Sequence, residues 1–127
     1  MNQKWQTLSA IKAAAVAKIA LGIVDLKKDL RLYATAHGGS FWIYGSAARG
    51  DFRYNSDVDI LVDFPEVHMS DAWRFAEDAC FKRGLVPDVS PKAYCSTRFL
   101  ERVMKGAVEI SCEPPNPAHA LLGPFPR

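Results

Sequence analysis

The spacing of apolar residues changes several times along the chain, and each change marks an element. From about Trp5 to Ala36 the residues are mainly Ala, Leu, Lys and Ile with no proline, which favours helix. Ile11, Ala15, Ile19, Ile23, Leu26 and Leu30 recur at helical spacing, and Gly22 is placed to divide the segment into two helices. His37-Gly38-Gly39 supplies a stop, because glycine just past a helix accepts left-handed backbone. "SFWIYG", residues 40–45, reads as a short strand ended by Gly45. In "DVDILVDF", residues 57–64, the period becomes two: Val58, Ile60, Val62 and Phe64 share one face, and Asp57, Asp59 and Asp63 the other.

Pro65 closes that strand, and "SDAWRFAEDACFKRG" predicts a helix capped by Ser70 or Asp71, with Trp73, Ala76 and Cys80 on its apolar side. "LVPDVS" is a weaker strand, since Pro87 lies inside it. "STRFLERVMKGA" is a last helix with Phe99, Leu100, Val103, Met104 and Ala107 in one stripe, and "VEI" a short final strand. The order predicts a small α/β or α+β domain in which helices cover a short mixed sheet. It divides into a helical part at residues 5–37 and a core at 40–111, within one domain at 1–112. Residues 113–127 hold five of the eight prolines and show neither period, so they read as an extended tail, loose or packed across the surface.

Composition adds little to this picture. The 127 residues suit one hydrophobic core, and 49% apolar with 24% charged residues is ordinary for a globular chain. A net charge of +2 with no basic stripe does not argue for nucleic acid. Cys80, Cys95 and Cys112 lack CxxC spacing, so reduced thiols in the cytoplasm are expected rather than a disulfide framework or a zinc site. Lys12 and Lys18 interrupt the alanine-rich start, which disfavours a signal peptide or a spanning helix.

Chemistry concentrates between Tyr44 and Val62. On a strand, Asp57 and Asp59 point the same way with Cα atoms roughly 6.5–7 Å apart. Two such carboxylates repel unless a cation sits between them or one takes a proton. Paired Mg²⁺ ions, about 3.5–4 Å apart, match that spacing; a solvated polar face is the plain structural alternative. Gly45 lets backbone amides approach a phosphate, Ser46 adds a hydroxyl, and Arg49 adds a guanidinium suited to phosphate oxygens. Ser56 is expected to brace the turn before the carboxylates.

Together, "GSAARGDFRYNSDVDILVDF" resembles the signature of the DNA polymerase β-like nucleotidyltransferase superfamily. It is most similar to the minimal nucleotidyltransferases, whose pattern is GSxARG, a short spacer, then SDxDxxV. Every fixed position is met, and the similarity spans about Leu21 to Ile110. The resemblance implies a polymerase β-like fold and transfer of a nucleoside monophosphate from a triphosphate such as ATP to a hydroxyl. It also implies two Mg²⁺ held by residues like Asp57 and Asp59, with the triphosphate gripped by residues like Gly45 and Ser46.

The family further expects a third carboxylate on the next strand, and Asp88 takes that place. Pro87 is the departure, because it removes a ladder donor and demands a strand start or an edge. Asp63 is the rival, but it lies roughly 13 Å from Asp59 along the strand. His37, His68 and His119 show no ligand spacing. Arg49-Gly50-Asp51 spells an adhesion tripeptide but belongs to the turn. Arg98, Arg102 and Lys105 read as a solvated helix face.

Minimal nucleotidyltransferases often pair with a helical HEPN-domain protein in toxin–antitoxin modules. The leading expectation is therefore AMP transfer to a hydroxyl of a partner protein. Transfer to a small molecule or an RNA end, and a non-catalytic nucleotide-sensing module that masks a partner, are the competing readings. A homo-oligomer is left open.

Overall fold

The computed structural model describes residues 7–111. Trp5, Cys112, His119 and the proline-rich segment lie outside that range. Helix α1 spans Leu8–His37, β1 Ser40–Tyr44, α2 Ser46–Arg49, β2 Val58–Asp63, α3 Glu66–Lys82, β3 Pro87–Pro91, α4 Thr97–Val103 and β4 Val108–Ile110. The strands form one mixed sheet in the order β3-β2-β1-β4. β1 pairs antiparallel with β2 and β4, and β2 pairs parallel with β3 through the α3 crossover. This mixed α+β architecture, with helices against a four-stranded sheet, is the one the period changes predict.

Helix α1 is continuous for 30 residues, against the predicted break at Gly22. Glycine inside a helix costs only about 1 kcal/mol. Here it lies beside Leu85, whose side chain would stand 3.5 Å from an added Cβ. The Thr7 hydroxyl caps the start by accepting from Ala10 N–H at 3.0 Å, and Gly38, at φ 74°, ends it. Burial is restricted to the second half, at Ile23, Leu26, Leu30 and Ala34. The apolar stripe predicted for the first half stays near the surface, with Ile11 50% exposed. Helix α3 starts a turn earlier than the predicted caps Ser70 and Asp71. Pro65 has no N–H to leave unpaired and precedes Glu66, a carboxylate suited to a helix start.

Leu26, Leu30, Phe41, Ile43, Ile60, Val62, Ala72, Ala76, Cys80 and Ile110 fill the layer between the sheet and α1–α3, each essentially inaccessible to solvent. Each large apolar side chain there contributes roughly 1.5–3 kcal/mol by leaving water. Arg83 locks α1 to the end of α3. Its Nε donates to Asp25 at 2.9 Å, one Nη to Asp29 and the other to the Ala79 carbonyl at 2.8 Å. The opposite face of the sheet carries Trp42, Tyr44, Asp59, Asp63, Asp88 and Ser90. Leu61 on that face is inaccessible to solvent, whereas these six are half-buried or exposed, and the candidate site lies there.

Pro87 begins β3, and β3 is an edge strand. Val58 N–H donates to the Val86 carbonyl at 2.8 Å. In a parallel ladder of that register the amides of Asp88 and Ser90 turn toward β2. The nitrogens of Pro87 and Pro91 face outward, where no donor is needed. The proline therefore leaves Asp88 in place. It also blunts the edge against pairing with another chain.

Candidate active site

The site is built where β1 ends and β2 begins. Tyr44, the last residue of β1, is the register partner of Asp59, and Gly45 follows it. Gly45 has φ 69° and ψ −150°, a combination that L side chains do not comfortably adopt. An added Cβ there would stand 2.4 Å from the Asp59 Oδ2 atom. The glycine is thus required twice, once by the turn and once by the carboxylate that lies against it. After this turn the Ala48 and Arg49 amides both donate to the Gly45 carbonyl at 3.1 Å, opening the single turn of α2 with Ser46 as its first residue.

Ser56 closes the next turn. Its hydroxyl accepts from Arg53 N–H at 2.6 Å, and its own N–H donates to the Arg53 carbonyl at 3.1 Å. Asp57 follows directly, exposed, one residue before β2. Arg49 is tied through Nε to Asp51 at 3.1 Å, and both side chains are well exposed. Such a pair contributes little stability and leaves the guanidinium able to swing. Within "RGD", then, the aspartate serves the arginine of the turn.

Asp88 is the register partner of Asp59 across the parallel ladder. Their carboxyl groups lie within hydrogen-bonding reach of each other. Partial burial, the negative charge of Asp88, hydrogen bonding with it and the charge of Asp57 push the Asp59 carboxyl up to about 6, while Arg49 pulls the other way. Tyr44 is pushed up to about 12, first by burial and then by Asp59 and Asp88, so its phenol stays neutral. Asp59 and Asp88 therefore face each other across the ladder and repel, and the charge of Asp57 is also felt at Asp59. Asp63 is elsewhere engaged: its carboxylate accepts from Trp42 Nε1 at 3.2 Å and pairs with Lys92 Nζ at 3.8 Å.

Beside Gly45 opens a cleft of about 400 Å³ lined by Tyr44, Gly45, Arg49, Arg102, Val103 and Gly106. Arg102, expected on a solvated helix face, is exposed as read, and it also borders this cleft. Nothing in its local spacing marks it, because only the pairing of β4 with β1 carries the end of α4 across to the turn.

A family model described as nucleotidyltransferase domain matches residues 23–110, most of the chain. The chain belongs to that family. It is a minimal nucleotidyltransferase of the polymerase β-like superfamily, an enzyme of nucleotidyl transfer. No curated protein matches the chain significantly.

Nucleotidyltransferases of this family generally use a nucleoside triphosphate and a divalent metal. Among the described residues no three acidic, histidine or cysteine side chains already converge as a metal cage. The donor set nevertheless fits a hard cation. It offers only carboxylate oxygens, and the repulsion that raises the Asp59 carboxyl marks where positive charge is wanted. Mg²⁺ needs just one or two carboxylates when phosphates and water complete its shell. Of the described thiols, burial pushes Cys80 up to about 12 and raises Cys95. No described helix is long and apolar enough to cross a membrane.

Proposed function

We propose that this nucleotidyltransferase transfers AMP from ATP to a hydroxyl group on a partner protein, using two Mg²⁺ ions held by Asp57, Asp59 and Asp88. The observation that carries the reading is the packing of Asp59 against Gly45, which joins the phosphate turn and the carboxylates into one unit. Gly45 and Ser46 hold the triphosphate through backbone amide and hydroxyl. Arg49 leaves its weak pair with Asp51 for a phosphate oxygen. Ser56 fixes the turn that aims Asp57.

Bound Mg²⁺ supplies charge neutralisation on the phosphates and lowers the pKa of the attacking hydroxyl. Asp88, exposed and opposite Asp59, takes the proton of the acceptor hydroxyl. A bond forms between the acceptor oxygen and the α-phosphorus, the bond from that phosphorus to the β-phosphate bridge breaks, and pyrophosphate leaves. Asp57 and Asp88 are both exposed, and no described element roofs them. That openness favours an acceptor carried on another macromolecule. A small helical HEPN protein, as in toxin–antitoxin pairs, is the partner the family resemblance suggests, with a tyrosine as a suitable hydroxyl.

The test is incubation with Mg²⁺ and α-labelled ATP beside such a partner, followed by mass spectrometry of the partner. An added nucleotide on a hydroxyl side chain, lost with Asp59→Asn, is the expected result. Label appearing instead on RNA or a small molecule would redirect the acceptor assignment. Binding and masking of the partner without any label would overturn transfer altogether.

A further inference from the structure

The cleft beside Gly45 has two cationic walls from distant parts of the chain, and only one of them belongs to the sequence motif. Arg49 stands on α2 and Arg102 at the end of α4. We infer that Arg102 is a phosphate-binding residue that recognises the β- and γ-phosphates of the donor nucleotide. The inference rests on the reading of this site as a nucleotidyl-transfer centre and adds to it a determinant of triphosphate over monophosphate.

Three observations support it. Arg102 forms no ion pair within 4 Å with any carboxylate among the described residues, although its guanidinium borders the cleft. Its guanidinium carbon lies 5.3 Å from the centre of the Phe99 ring, and Phe99 meets Tyr44 edge-on at 5.9 Å. That chain of aromatic contacts holds the end of α4 against the turn, and the Arg102 charge is felt at the Tyr44 phenol.

Third, charge in the site is divided. The cleft lining holds Arg49 and Arg102 and no carboxylate, while Asp59 lies against Gly45 and is the register partner of Asp88. An extended anion that carries metal at one end and bare charge at the other fits that division, which describes a triphosphate. Val103 and Gly106 complete the wall without a polar side chain that could read a base.

Calorimetric titration of ATP, AMP and inorganic tripolyphosphate into the wild-type chain, Arg102→Ala and Arg102→Lys tests this. Charge-assisted hydrogen bonds of this kind are worth roughly a 10- to 100-fold change in affinity. Arg102→Ala should lose that factor for ATP and tripolyphosphate and leave AMP binding unchanged, with Arg102→Lys recovering part. In turnover, KM for ATP should rise with kcat little altered. Equal losses for ATP and AMP would overturn the assignment by placing Arg102 at the nucleoside or α-phosphate. Unchanged ATP affinity would overturn it while leaving the transfer reading intact. Failure of the wild-type chain to bind any triphosphate with Mg²⁺ would overturn both. Matching circular dichroism and melting curves would show that the variants are folded.

Discussion

Replacing Asp59 with asparagine should make the metal-free protein more stable while abolishing transfer. Asp59 has a carboxyl raised from 3.8 to about 6. That difference of roughly two pH units corresponds to about 3 kcal/mol at most, at 1.36 kcal/mol per unit. Asp59 is only part-buried, so solvent screening reduces this to about 1–2 kcal/mol. The sign follows from proton linkage. The folded state holds a proton on this group that the unfolded chain releases near pH 4. Stability from it is therefore full below about pH 4 and is lost as pH rises through about 6. Asparagine has no charge to be repelled by Asp88.

In EDTA at pH 7.5 the variant should melt about 3–8 °C higher than wild type, and the gap should close toward pH 4. Mg²⁺ with ATP should stabilise the wild type and leave the variant unmoved. The assay is thermal and urea unfolding at both pH values, followed by circular dichroism. A variant less stable than wild type at pH 7.5, or a gap independent of pH, would refute the description of this site as a strained carboxylate cluster.

Asp88→Asn should reduce transfer by at least about 100-fold, as expected for loss of a positioned base or ligand. Asp63→Asn should stay within a few fold, because Asp63 serves Trp42 and Lys92; parallel initial-rate measurements decide between the two carboxylates. Gly22→Ala should stabilise α1 by about 0.5–1 kcal/mol in urea unfolding, since the new methyl meets Leu85 at ordinary contact distance. Loss of stability there would show that α1 does not pass Leu85 as described. Arg83→Ala should cost about 1–3 kcal/mol, because the Arg83 side chain is 10% exposed and its removal leaves Asp29 without its main partner. Asp25→Ala, with a largely exposed carboxylate, should cost under about 1 kcal/mol.

The legible parts of the fold are those where local chemistry and tertiary packing agree. The alternation in residues 57–64 placed Val58, Ile60 and Val62 on the core face because α1 and α3 cover that side of the sheet, although Leu61 on the other side is buried as well. The Gly38 stop was readable because a left-handed residue past a helix is a local demand. Continuity of α1 through Gly22 was not readable, since the preference against glycine is small beside the packing on Leu85 and the neighbouring turns. Nor was the exposure of Ile11 and the first turns, because helical spacing shows a face without showing whether anything lies against it.

At the candidate site the division is sharper. The donor-side residues lie within 15 positions of one another, Gly45 to Asp59, and a turn followed by a strand suffices to assemble them. Asp88 needed a crossover and a register, and Pro87 looked like an obstacle because its cost depends on which way its nitrogen points. In β3 it points off the sheet, so the same proline that weakened the strand in sequence secures an edge and leaves the Asp88 amide paired with β2. Arg102 required still more, namely the antiparallel return of β4 beside β1. Residues that grip the phosphates close to the metals can be written into one short motif. On the proposed reading Arg102 meets the far end of the phosphate chain from a distant helix, which only the folded chain brings alongside the motif.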